Sequence, residues 1–361
     1  MTSQTIVIAP AAFKGTFGPR AVADALAAGV HAVIPDAVVL YCPVSDGGDG
    51  LLDVVLAPGA LRERVRVTGP LGRPVEAELG WLDPATAIFA SASACGLALL
   101  RPEELDPLRA TSRGVGELIW EAVDRGAKTV VVGLGGSATV DGGVGAARGL
   151  GWTVRDAAGA IVGEGGGALM EAATLDGGWG LDAQVVALAD VTTPLTGPDG
   201  AAPIFAPQKG ASPAAVARLA AGLDHLGRLM ERGGRPELAT QPGGGAAGGL
   251  GAGLAFFANA RLVPGAAWVL ERIGFDAALA TADLVLTAEG VFDHTSLVGK
   301  ASGEVIRRAQ AAQKRALVVA GRVEVLPGIT AVGGDGRALS TAGIAALAAR
   351  AVRDALGLPV A

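Results

Sequence analysis

Aromatic side chains make up only 4% of the 361 residues, with a single tyrosine. A core must then be built mainly from Ala, Val, Leu and Ile; because half of the chain is hydrophobic, material for it is ample and global disorder is excluded. Cysteine is nearly as scarce. Cys42 and Cys95 stand far apart without metal-like spacing, which reads as two reduced, buried thiols. Basic charge is also short, with 29 Lys and Arg against 35 Asp and Glu, a net charge of −6, and no basic run of five. That balance argues against nucleic acid and anionic membrane as partners. There is no HExxH, no CxxC pair and no GxSxG. The uncharged apolar stretch Pro84 to Leu100 is too short for a membrane span. The opening MTSQTIVIAP lacks the basic and long apolar regions of a signal peptide. These absences lead us to expect a cytoplasmic protein.

Glycine is the residue in excess, at 56 positions. It follows no collagen-like period of three and clusters after apolar runs, as in VVVGLGGSATVDGGVG from Val130 to Gly145. Such clusters suit loops that approach something closely or take φ > 0. A second cluster, GGGAAGGLGAG at Gly243–Gly253, reads either as a flexible linker or as a segment of close packing.

The length exceeds the roughly 250–300 residues at which one core stops growing, so two domains are expected. Strand-like Ile6–Pro10, a helical pattern through Val22, Leu26, Val30 and Val33, and strand-like Val38–Tyr41 form a βαβ opening. From about Arg62 the texture changes to alternating strands, RERVRVTG and PVEAELGWL, joined by the turn Gly69–Gly72, as in an antiparallel or mixed sheet. A helix over 114–125 leads into the strand Thr129–Val132. In the helix Pro213–Arg232, the seam Val216, Leu219, Leu223, Leu226 and Met230 reads as core packing. Beyond Ala280 the βα style returns. The expected architecture is therefore α/β, with one α/β domain from residues 1–61 and 281–361 interrupted by a second α/β domain with a mixed sheet over 62–280.

Five polar clusters fall at expected strand ends, where ligands bind in open α/β sheets. They hold Lys14; Ser45, Asp46 and Asp49; the run from Gly133 to Gly145; Asp190 with Lys209 shortly after; and Glu289, Asp293 and Lys300. The glycine run suits an anion, because several N–H groups aimed at one point demand the freedom of glycine and a following helix adds its positive end. A bare tight turn is the competing reading. Gly135, Gly136, Ser137, Thr139, Gly142 and Gly143 are the candidate phosphate contacts, together with Lys209. Asp141 either belongs to the site or simply caps the helix. The run is not a Walker A loop, and HTSLVGKA at His294–Ala301 fails that pattern at its first and last positions. Nor is the run a clean nicotinamide fingerprint, because Gly133-Leu134-Gly135 lacks the third glycine at its offset, where Ala138 stands. The loop carboxylates Asp46, Asp49, Asp190, Glu289 and Asp293 suit Mg²⁺ or the proton of an attacking hydroxyl, with Asp46, Asp190, Glu289 and Asp293 the metal candidates. Lys14, Lys209 and Lys300, each beside a glycine, suit phosphate or carboxylate.

In sequence the chain resembles the bacterial glycerate kinase family nearly end to end. The likeness rests on APAAFKGTF, PVSDGGDG, TSRGVGELI, GLGGSATVDGGVG, DVTTPLTGPDGAAPIFAPQKGA, GGGAAGGLGAGL and LTAEGVFDHTSLVGK, in that order. The resemblance implies a flavodoxin-like parallel sheet built from both chain ends, a second α/β domain, and an active site in the cleft between them. It implies transfer of the ATP γ-phosphoryl group to D-glycerate with Mg²⁺, usually to give 2-phosphoglycerate. Carried over by motif, Asp190, Asp46, Lys14 and Lys300 are the catalytic candidates. Lys14, Ser45, Asp46, Glu289, Asp293 and Lys300 are candidates for holding glycerate. This chain departs from the pattern at Ala11-Ala12, where Asp-Ser is usual, and at Val140 and Thr193, where Asn is usual. It departs again at Val291, His294 and Thr295. Those changes keep open a relative of altered specificity or one that binds without turnover. A homo-oligomer is compatible with the sequence.

Overall fold

The computed structural model describes residues 4–13, 15–48, 50–334 and 339–358. Lys14 and Asp49 lie outside the described residues. Among the described residues there are thirteen strands. The first seven are β1 (Thr5–Ile8), β2 (Val38–Tyr41), β3 (Arg62–Thr68), β4 (Pro74–Asp83), β5 (Thr86–Ala90), β6 (Thr129–Gly133) and β7 (Trp152–Arg155). The rest are β8 (Thr174–Gly177), β9 (Gln184–Leu188), β10 (Arg261–Val263), β11 (Leu284–Phe292), β12 (Arg315–Val323) and β13 (Thr330–Gly333). The chain divides into two compact units, Met1–Val55 with Gly265–Ala361, and Leu56–Pro264.

The first unit contains a five-stranded sheet in the order β13-β12-β11-β1-β2, with every pair parallel. Counted along its own strands, this is the flavodoxin-like order, with the reversal between β1 and β11. Alternation along β1 sends successive residues to opposite faces. Ile6 and Ile8 pack with Leu26, Val30, Ile344 and Val352 of the helices Pro19–His31 and Thr341–Leu356. Val7 packs on the other face with Leu270, Phe275 and Val305. The latter cluster also explains where the unit boundary falls. The helices Gly265–Arg272 and Phe275–Thr281 bury Leu270, Phe275 and Leu279 with Val7 and Val285, so the division comes at Pro264 and not at residue 280. At the other crossing the division comes at Val55, because the helix Leu51–Val55 remains with the first unit.

The second unit holds a six-stranded sheet, β10-β9-β6-β5-β4-β3. β10, β9, β6 and β5 run parallel, while β4 pairs antiparallel with both β5 and β3, so the sheet is mixed. β5 comes from the apolar stretch around TAIFA. The helix Pro213–Arg232 buries Leu219, Leu223, Leu226 and Met230 against Val140 and Val144, the packing role its seam predicts.

Gly243–Gly253 is no linker. Ala247 (φ 53°), Gly248 and Gly249 take left-handed conformations inside the helical stretch Ala246–Phe257, and the segment packs onto the other glycine run. A Cβ on Gly248 would stand 2.0 Å from the Thr139 carbonyl oxygen, and one on Gly253 would stand 2.4 Å from that of Gly142. Among the described residues no helix is long and apolar enough to cross a membrane.

Candidate active site

In the first unit, the loops at the carboxyl ends of β1 and β2, the end of β11 and the start of the helix Ala301–Ala311 enclose a cavity of about 250 Å³. Ser45, Asp46, Glu289, Lys300 and Ser302 line it, together with Ala11, Ala12 and Val291. It lies at the strand-order reversal, where an open parallel sheet parts its loops. β11 runs further than its apolar residues suggest, because it pairs with β12 as far as Phe292. Glu289 is therefore a strand residue, not a loop residue. Its Oε1 accepts a hydrogen bond from the Ser302 hydroxyl. Lys300 Nζ is 3.7 Å from Glu289 Oε2 and 3.9 Å from Asp293 Oδ1, and donates to Ser296 Oγ at 3.3 Å. Burial holds the Glu289 carboxyl above its ordinary range, against the Ser302 hydroxyl and the Lys300 charge. Asp293 is held below its range, chiefly by the Thr295 hydroxyl.

Asp46 and Ser45 are fixed by their own turn. Asp46 Oδ1 accepts from the Gly48 N–H at 3.0 Å, and Ser45 Oγ from the Gly47 N–H at 3.2 Å. Lys14, expected here, is outside the described residues.

The second unit brings together the glycine run, Asp190 and Lys209. Asp190 follows β9, which pairs with β6, and the Leu134 N–H donates to the Leu188 carbonyl. Both therefore sit at the carboxyl ends of neighbouring strands. The expected phosphate contacts split into two groups. Gly135 and Gly136 reach the surface, and among the described residues the N–H groups of Gly135, Gly136 and Ser137 have no acceptor. Gly142 and Gly143 are buried with their amides engaged; Gly142 N–H donates to Gly248 O at 3.1 Å and Gly143 N–H to Asp141 Oδ1 at 3.1 Å. Thr139 is buried, with its hydroxyl 3.4 Å from Ala247 O. These three are packing residues, which corrects the sequence reading.

Lys209 is a second correction. Only 3% exposed, it donates to Ser137 Oγ at 2.9 Å and to the Thr139 carbonyl at 2.7 Å. Its ammonium supports the loop from inside. Asp141, fully buried, accepts from the Ser112 N–H and hydroxyl, each at 2.8 Å, and from the Gly143 and Gly145 N–H groups, each at 3.1 Å. It caps the helix Val144–Gly149 and ties it to Ser112, a residue that sequence reasoning passed over although it lies in the TSRGVGELI motif. Cys95 is buried too, its thiol pushed up to about 12 by burial, and so is chemically quiet. Cys42, likewise buried, is raised to about 11.

Of the four carboxylates expected to suit Mg²⁺, Glu289 and Asp293 already have the Lys300 ammonium between them. A cation there would displace the lysine, so this pair does not fit the ion. Among the described residues no group of three His, Cys, Asp or Glu could hold a metal. A magnesium ion shared with phosphates needs only one or two carboxylates, and that demand Asp190 or Asp46 fits. Of the departures from the family pattern, Ala11, Ala12 and Val291 line the cavity, whereas Val140 is a core residue. His294 lies 3.4 Å from Glu324.

A model of the glycerate kinase family matches residues 6–353. The chain is 40% identical over 323 residues to the glycerate 2-kinase of Escherichia coli K12, covering 88% of this chain and 84% of that protein. It is 38% identical to the glycerate kinase of Bacillus subtilis 168, with coverage of 88% and 85%. Among solved structures, a putative glycerate kinase 2 from Salmonella typhimurium LT2 superposes with a TM-score of 0.82 at 36% identity, over 99% of each chain.

Proposed function

The chain belongs to the glycerate kinase family, and on that footing we propose that it transfers the γ-phosphoryl group of ATP to the 2-hydroxyl of D-glycerate, giving 2-phosphoglycerate and ADP. The observation that carries the donor side is the row of three amides at Gly135–Ser137, backed by a buried lysine and beside Asp190. Consecutive N–H groups at a strand end suit a phosphate chain, and they do so in a protein whose net charge of −6 would otherwise repel it. Asp190 would hold Mg²⁺ there, and the ion would neutralise charge on the β- and γ-phosphate oxygens.

The acceptor side falls to the cavity of the first unit. The glycerate carboxylate pairs with Lys300, whose ammonium is already held by Glu289, Asp293 and Ser296. Ser45 and Ser302 are hydroxyl partners for the glycerate oxygens. Asp46, lining the same cavity, accepts the proton of the 2-hydroxyl as its oxygen forms the new bond to phosphorus and the bond from phosphorus to the ADP oxygen breaks. An alkyl hydroxyl is a weak nucleophile, so in-line positioning and charge neutralisation supply most of the acceleration. Lys14 joins this set by its motif alone.

The test is ADP release from D-glycerate, ATP and Mg²⁺, with the product identified by phosphorus NMR. Formation of 2-phosphoglycerate is the expected outcome; folded, ATP-binding protein without turnover would sink the proposal. The methyl groups of Ala11 and Ala12 and the Val291 side chain on the same cavity favour a second reading, an acceptor less polar than glycerate. Replacing D-glycerate by 2-hydroxybutyrate in the same assay separates the two.

A further inference from the structure

Lys209 is placed where a phosphate-binding lysine would not be. Its ammonium is enclosed, with its two hydrogen bonds going to Ser137 Oγ and the Thr139 carbonyl. Those residues border the amides of Gly135, Gly136 and Ser137. A buried charge is costly unless it is paired and hydrogen-bonded, so the arrangement needs a compensating reason. We propose that Lys209 is a positioning residue for the phosphoryl donor: its ammonium fastens the loop at Ser137 and Thr139, keeping the Gly135–Ser137 amides in register and adding a positive charge behind them, without touching the nucleotide. This rests on the reading of that loop as the phosphate site.

The consequence is a coupling between nucleotide binding and protonation. Burial lowers Lys209 to about 8, with the neighbouring Asp141 and Cys95 opposing the shift without cancelling it. Asp141 faces it from the glycine-rich loop and Cys95 from the short helix Ala92–Cys95; its own turn, Pro207–Lys209, adds no other titratable group. Above that pH the ammonium loses its proton, both bonds lose their charge assistance, and the field behind the amides falls. By reciprocity, an anionic phosphate chain must raise the proton affinity of Lys209 when it binds.

The experiment is calorimetric titration of the full-length protein with ADP and Mg²⁺ from pH 7.5 to 9.5, in buffers of different ionisation heat. The expected result is a Kd that rises about tenfold across the range, with uptake of up to about half a proton near pH 8. In Lys209→Met the expected Kd is about tenfold weaker at pH 7.5, with no pH dependence and no proton uptake. Should that variant fail to fold by circular dichroism, Ser137→Ala keeps the amide but removes one acceptor, and the pH dependence should move to lower pH. A wild-type Kd flat across the range, or a folded Lys209→Met with the wild-type pH dependence, overturns the proposal while leaving the loop as the nucleotide site. No ADP binding at any pH overturns the reading of the loop, and this inference with it.

Discussion

Lys300 and Lys209 carry the same charge in opposite surroundings, and the contrast assigns them different work. The Lys300 side chain is 38% exposed and faces a cavity with carboxylates on two sides, so it can still meet an incoming anion. Lys300→Met should raise KM for D-glycerate about 10- to 100-fold, the scale of a lost charge-assisted hydrogen bond, with a smaller change in kcat. Steady-state kinetics check this, and an unchanged KM would remove Lys300 from the substrate's carboxylate. Lys209 instead imposes a cost on the fold. Below pH about 8 it is charged in both folded and unfolded chains, and the folded state bears the whole penalty of a buried charge. Between about 8 and the ordinary lysine value the unfolded chain binds more protons than the folded one, so this residue's contribution to stability rises with pH. Urea denaturation at pH 7.5 and 9.5 should show the stability difference, wild type minus Lys209→Met, moving toward the wild type by about 2 kcal/mol. A difference that stays constant would mean that the lysine titrates as it does in water.

At the scale of elements, the two glycine segments form one contact, Gly142 and Gly143 against Gly248 to Gly253. Gly253 sits on that contact in an ordinary helical conformation, so substituting it probes space alone. Gly253→Ala would drive a methyl group to 2.4 Å from the Gly142 carbonyl oxygen. Overpacking of this kind costs about 1–3 kcal/mol, and the backbone that must yield leads directly to Asp141 and the amide loop. Both the urea midpoint and ADP affinity should fall; loss of stability with unchanged affinity would show that the loop is insulated from its support. This contact also shows what was legible in the sequence. That Gly133–Gly145 must approach something closely was readable from composition and from its place after a valine strand. What it approaches was not, because the partner is about a hundred residues away and nothing local distinguishes a phosphate from another backbone. For the same reason Thr139, Gly142 and Gly143 read as ligands and Asp141 as either ligand or cap. The parallel sheet of both chain ends was legible because its strands are short apolar runs separated by helical patterns. The extension of β11 to Phe292 was not, because Glu289 and Gly290 read as loop and only pairing with β12 keeps them in the strand.

For the molecule as a whole, the chain passes between units only twice, at Val55–Leu56 and at Pro264–Gly265. The segment between those points is continuous, contains all six strands of the mixed sheet and buries two apolar clusters of its own. One is centred on Phe89, Leu118, Val132 and Leu250, the other on Leu219, Leu226 and Met230. The first unit has no such independence along the sequence, since β1 and β2 must find β11 more than two hundred residues later to complete their sheet. A continuous segment of this size with its own cores meets the conditions for autonomous folding. Residues 56–264 expressed alone should therefore give a cooperative urea transition with native-like circular dichroism. The glycine-rich loop, Asp190 and Lys209 all lie within the fragment, so it should also bind ADP with Mg²⁺ while phosphorylating nothing, because Asp46 and Lys300 are left behind. A folded fragment without ADP affinity would move the nucleotide site to residues of the first unit. An unfolded fragment would show that the inserted segment depends on the sheet that the two chain ends build together.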